Sequence, residues 1–120
     1  MFKLDENEEI IIKNWPVIIS KPQDGGTQQK HQITADFLLL PDDKLEELMA
    51  ASRESENGNV DRDIARRVVV KISGVAGADN TPLEFNAELL EKLLNKRYVR
   101  SALVATYFDA VNGKKAKTKN

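Results

Sequence analysis

Residues 34–49 read TADFLLLPDDKLEELM, and the fold turns on the change of pattern at Pro41. Before it, Ile33, Ala35, Phe37 and Leu39 alternate with Gln32, Thr34 and Asp36. That period of two predicts a strand with one buried face. After it, Asp42 and Asp43 supply the carboxylates that a helix dipole favours, with a proline tolerated in the first turn. Leu45, Leu48 and Met49 then recur at helical spacing as a narrow apolar stripe. A lone hairpin is marginal in water, so a helix following directly on the strand is the natural cover for its apolar face.

Upstream, residues 10–20, IIIKNWPVIIS, are rich in β-branched residues and read as the partner strand. Regular alternation puts Ile11, Trp15, Val17 and Ile19 on one face together with Lys13. Pro16 has no N–H for a ladder, which predicts an edge strand or a bulge. Asp24-Gly25-Gly26 supplies the positive φ of a tight reversal, so residues 9–40 form a hairpin.

Downstream, SRESENGN (52–59) reads as a loop. Over 60–73, Val60, Ile64, Ala65, Val68, Val69 and Ile72 fall on one side of a helical wheel, opposite Arg62, Asp63, Arg66 and Arg67. The spacing predicts an amphipathic helix, although Val68-Val69-Val70 has the composition of a strand. Gly74 and Gly77 end this segment, and ADNTP (78–82) is a turn. Asn86 is placed as an N-cap, with Phe85 and Leu90 positioned for a hydrophobic staple. Leu89, Leu90, Leu93 and Leu94 form the next stripe. The last helix is expected from about Arg97 to Asn112, with Gly113 as its C′ residue. Val99, Leu103, Val104, Tyr107, Phe108 and Val111 cover about half of its wheel. The predicted class is α+β: an N-terminal antiparallel hairpin or small sheet packed by about four helices. The helical part spans 41–113, and a flexible basic tail follows at 114–120.

The 120 residues suffice for one domain with one core. Hydrophobic residues make up 41% and charged residues 31%, a globular balance. A net charge of −1 argues against bulk nucleic-acid binding. The absence of cysteine excludes disulfides and thiolate zinc sites. No apolar run reaches the roughly 20 residues of a membrane span, and MFKLDENEE is acidic where a secretory signal is basic. The expectation is a cytoplasmic protein that binds neither membrane nor nucleic acid.

Catalytic chemistry is hard to place. The single histidine, His31, lies in a polar stretch without cysteines or a second histidine nearby. Asp42-Asp43 and Glu46-Glu47 are explained by a helix start and a solvated face. Asp24-Gly25-Gly26 lacks the flanking pattern of a phosphate-binding loop, and no serine sits in a nucleophile elbow. The chain is expected to be no enzyme and to need neither cofactor nor metal. Surfaces remain. Trp15, Tyr98, Arg100, Tyr107 and Phe108 are the candidate partner-binding residues, weighed against plain core packing. Arg62, Arg66 and Arg67 form a basic flank whose simplest explanation is local ion pairing. Lys114, Lys115, Lys117 and Lys119 form a lysine-rich tail or linker.

The closing stretch RYVRSALVATYFDAVNG (97–113) resembles the ending of a family of phage tail assembly chaperones: Tyr-Val-Arg, then Ala-Leu, then Tyr-Phe-acid-Ala, then glycine. Tyr98, Val99, Arg100, Ala102, Leu103, Tyr107, Phe108, Asp109, Ala110 and Gly113 match in order. TPLEFNAELLEKLL (81–94) and TADFLLLPDDKLEELM (34–49) are similar to two upstream stretches of the same family. The chain departs from the pattern at Ile72, where a tryptophan is expected. The resemblance implies a protein of the infected host's bacterial cytoplasm that holds the tape measure protein. It would help tail tube subunits assemble around that protein and be absent from the finished virion. It also implies that a programmed frameshift near the gene's end can add a second domain, with the lysine tail as linker. Self-association is compatible with the broad apolar arc of the last helix. The alternatives are a structural tail component, such as a tube or connector protein retained in the virion, and a small nucleic-acid-binding regulator.

Overall fold

The computed structural model describes residues 1–118; Lys119, expected in the basic tail, lies outside the described residues. Strand β1 (Ile10–Pro22) turns through Asp24–Gly26 into β2 (Gln28–Leu39). Gly25 and Gly26 take φ of 74° and 80°, the left-handed backbone that the reversal requires. Helix α1 (Asp42–Glu54) begins directly after Pro41, and α2 (Val60–Val68) follows a short loop. Strand β3 (Val69–Ser73), α3 (Ala87–Leu94) and α4 (Arg97–Val111) complete an α+β fold. The sheet is antiparallel in the order β1-β2-β3, so β1, with its Pro16, is an edge strand as expected.

Two β-bulges flank Asp36 and set the faces of the sheet. Ile12 pairs with Phe37 and Trp15 with Ala35, so Lys13 and Asn14 together oppose Asp36. Asn14 adopts φ 56°, a left-handed conformation that asparagine tolerates, and its N–H donates to Asp36 Oδ1 at 2.8 Å. The extra residue shifts the alternation. Ile12, rather than the expected Ile11, joins Trp15, Val17 and Ile19 against the core. Lys13 stays exposed, which avoids the cost of burying an ammonium.

The second bulge corrects the helix expected over 60–73. Helix α2 stops at Val68 and the chain passes straight into β3. Ile72 pairs with Ala35, Lys71 with Asp36 and Val69 with Phe37, leaving Val70 as the extra residue. The bulge places Val69 and Ile72 on the core side although they are three residues apart. Helical spacing and a bulged strand are therefore identical on a wheel. The free edge of β2 and the β-branched content decide for strand.

The helices cover one face of the sheet, where Val17, Ile33, Ala35, Phe37 and Ile72 meet Ile64, Val68, Leu94, Leu103 and Tyr107. Helix α4 runs against β1, and α2 lies over β2. Several sequence-level stops are realised. The Asn86 side chain accepts from Leu89 N–H at 2.7 Å. Gly113 (φ 74°) ends α4 in a Schellman motif, with Lys114 N–H on Asp109 C=O and Gly113 N–H on Ala110 C=O. Asn59 caps α2 by accepting from Arg62 N–H at 2.9 Å. Helix α1 extends to Glu54, beyond the loop start expected at Ser52.

Tyr107 closes the core. Its ring is fully buried edge-on to Phe37, with centroids 5.7 Å apart. Its hydroxyl accepts from Leu40 N–H at 3.0 Å, at the corner where β2 ends and Pro41 begins. Replacing Tyr107 by Phe leaves the Leu40 N–H buried and unpaired. Urea denaturation of that variant should show a loss of about 1–3 kcal/mol at nearly unchanged m-value.

Candidate functional interface

The five candidate partner residues separate by burial. Tyr107 is wholly inside, and burial pushes its phenol above its ordinary range. Arg100 is only 7% exposed. Its Nη1 donates to Leu94 C=O at 3.0 Å, placing the guanidinium over the carbonyl end of α3. The Arg100 Nε is buried with no hydrogen-bond partner. Within the folded chain this arginine ties α4 to the end of α3. Tyr98 and Phe108 are half-buried against the core. Phe108 shares a shallow groove with Asp42, Leu45, Met49 and Arg53 of α1. Trp15 is half-buried and borders a small cleft with Ala105, Thr106, Lys115 and Lys117.

Part of the basic flank and of the tail is paired. Arg66 reaches α3, donating through Nε and Nη2 to both oxygens of Glu91 at 2.8 and 2.7 Å. Arg66 also meets Asp63 at 3.2 Å, and Asp63 accepts from Ser52 Oγ at 2.6 Å, so one polar chain joins α1, α2 and α3. The hydrogen bond from Arg66 holds the Glu91 carboxyl below its ordinary range and raises the guanidinium in return. The lysine tail has a spatial partner that its sequence neighbours do not reveal. Lys114 and Lys117 lie 3.6 and 3.7 Å from the Asp109 carboxylate, so the described part of the tail turns back along α4. His31 is exposed on β2.

A larger concavity than these lies elsewhere, on the side of the sheet that the helices leave open. It is an open groove of about 990 Å³. Its walls include Ile11 and Lys13 of β1, Asp36 of β2, residues 70–73 of β3, and Val75, Leu83, Glu84 and Phe85 of the loop that precedes α3. Ile11, Val70 and Leu83 are 40–44% exposed, high for large apolar side chains. The bulges build this wall, since they turn Ile11 outward and leave Val70 unpaired. The loop is held in place by Leu83 N–H on Val75 C=O and by Gly77 N–H on Thr81 C=O, both 2.9 Å. Asp79 Oδ1 accepts from Thr81 N–H, which lowers the Asp79 pKa. Among the described residues, Lys13 and Lys71 on the groove have no carboxylate at ion-pair distance. Sequence reading missed this groove because regular alternation places Ile11 in the core and a single helix hides Val70. Among the described residues, no cluster of three or more His, Cys, Asp or Glu side chains is placed to hold a metal, and no helix is long and apolar enough to cross a membrane. Searches against protein-family models, curated proteins and solved structures found no match to this chain.

Two predictions follow from the polar contacts. Arg100→Ala should lower stability by about 1.5–3 kcal/mol, because it removes a charged donor from a buried carbonyl. A role confined to partner binding would leave the melting temperature unchanged. For Glu91, a depressed carboxyl pKa stabilises the fold above the unfolded pKa, and the gain is lost as pH falls through the folded value. The difference between wild type and Glu91→Gln should be about 0.5 kcal/mol near neutral pH, as for an exposed pair. It should vanish in acid, below the ordinary carboxylate range, when both are unfolded by urea across a pH series.

Proposed function

We infer that the chain is a phage tail assembly chaperone acting in the host bacterial cytoplasm, and that the groove between the open sheet face and the 75–85 loop is its client surface. The client is the tape measure protein, a long helical chain whose apolar stripe needs masking until tail tube subunits enclose it. An amphipathic helix in an apolar groove is a recurrent mode of recognition. The observation that carries the reading is the pairing of two features. One is the ordered set of family-like motifs from Thr34 to Gly113. The other is a large, unpartnered groove that mixes apolar side chains (Ile11, Val70, Val75, Leu83, Phe85) with charged ones, on a fold with a separate core of its own. The groove, rather than Tyr107 or Arg100, is the place for a client, because those two side chains serve the interior.

Co-expression with the tape measure protein encoded nearby tests this. The chain should keep that protein soluble and co-purify with it. The exposed-site pair Val70→Lys and Leu83→Asp should cut recovery about tenfold or more, the loss expected when charges enter a contact core, with a native melting temperature. A tape measure protein that precipitates equally with and without the chain contradicts the reading. Detection of the chain in purified virions would instead support a retained tail component.

A further inference from the structure

We propose that in the client-free protein the groove is covered by the N-terminal arm of a second copy of this chain, laid as an added strand along the free edge of β3. The inference concerns the client groove but does not rest on the identity of the client, since it is argued from the groove's own lining and from an exposed segment of this chain.

Four observations choose this occupant. The first is an exposed apolar segment of matching size: Phe2 and Leu4 are 92% and 80% exposed, ahead of the first strand. The second is its pattern. Phe2 and Leu4 flank Lys3, so an extended arm turns both apolar side chains to one face and the lysine to the other. Strand β3, whose residues line the groove, is an edge strand of the sheet, the standard acceptor for an added strand. The third is charge. Glu6, Glu8 and Glu9 form no ion pair among the described residues, and neither do Lys13 and Lys71 at the groove, whose lining also holds Asp36 and Glu84. An arm seated with Phe2 and Leu4 in the groove brings the two sets into range.

The fourth observation separates a second copy from the chain's own arm. The own arm lines no part of the groove. A turn at Asp5–Glu8 holds it away, with Asn7 N–H on Asp5 Oδ1 at 3.0 Å and Glu8 N–H on Asp5 C=O at 3.2 Å. Folding back would open that turn. With that turn kept, the four residues ahead of it reach about 13 Å when extended, enough to lie along the edge of an abutting copy. Because each copy offers both arm and groove, the exchange is reciprocal and closes as a two-fold dimer.

The lack of native cysteine makes a clean test possible. Full-length Phe2→Cys, carrying a mass tag, is mixed with untagged Leu83→Cys and treated with a short bis-maleimide. Both sites are exposed, so the fold is retained. The predicted product is a mixed cross-linked dimer. It should form about tenfold or more faster than with Ala50→Cys as the partner, because docking raises the local concentration of the two thiols. Lys13→Glu with Lys71→Glu should slow it, and adding Glu8→Lys with Glu9→Lys should restore it. Cross-linking within a single chain carrying both cysteines, with none between the mixed variants, assigns the groove to the chain's own arm and overturns the proposal. Equal rates at Leu83 and Ala50 overturn it as well. No client enters the assay, so its failure is distinguishable from failure of the chaperone reading.

Discussion

The hydrogen bond from Asn14 N–H to Asp36 Oδ1 holds the feature on which the rest of the sheet depends. Without the extra residue in β1, the strand that buries Trp15, Val17 and Ile19 also carries Lys13 into the core. Burying an unpaired ammonium is costly enough to forbid that register. The bulge resolves the conflict at the price of one left-handed asparagine. Asp36 pairs with Lys71 on its other side, next to the second bulge at Val70. A single β2 residue is thus flanked by irregularities on both neighbours. Together they decide which apolar residues the helices cover and which remain on the open face.

The helical layer then closes around long-range contacts rather than local preference. Tyr107 reaches the corner between β2 and α1, 67 residues away in sequence, and satisfies an amide that the ladder has run out of partners for. Arg100 secures the end of α3, and Arg66 bridges α2 to α3 through Glu91. Two of these contacts, those of Tyr107 and Arg100, use side chains of the last helix's distinctive pattern. The distinctive side chains of the last helix hold the fold together, while the open groove is lined by plainer residues such as Val70 and Leu83.

The hairpin, the corner at Pro41, the Asn86 cap and the Gly113 stop were legible because each depends on local chemistry: alternation, dipole, side-chain acceptor and positive φ. The boundary at Val68–Val69 was not. A wheel treats Val69 and Ile72 as helical neighbours, and a bulged strand gives the same three-residue spacing. The facing of Ile11 failed for the same reason, because the shift in β1 comes from a cross-strand bond that no window of β1 contains. The groove is built from those two misread positions and a loop brought in from 75–85, so no single stretch of sequence displays it.

The proposed client groove and the proposed arm both depend on the outward facing of Ile11 and Val70, which makes the bulged register the central claim. Carbon-edited NOESY on the labelled full-length protein tests it directly. The Ile12 methyls should show contacts to the Phe37 ring and its core neighbours, while the Ile11 methyls show none. Ile11 in contact with Phe37, and Ile12 without, would mean an unbroken ladder with Lys13 facing inward and would contradict the register.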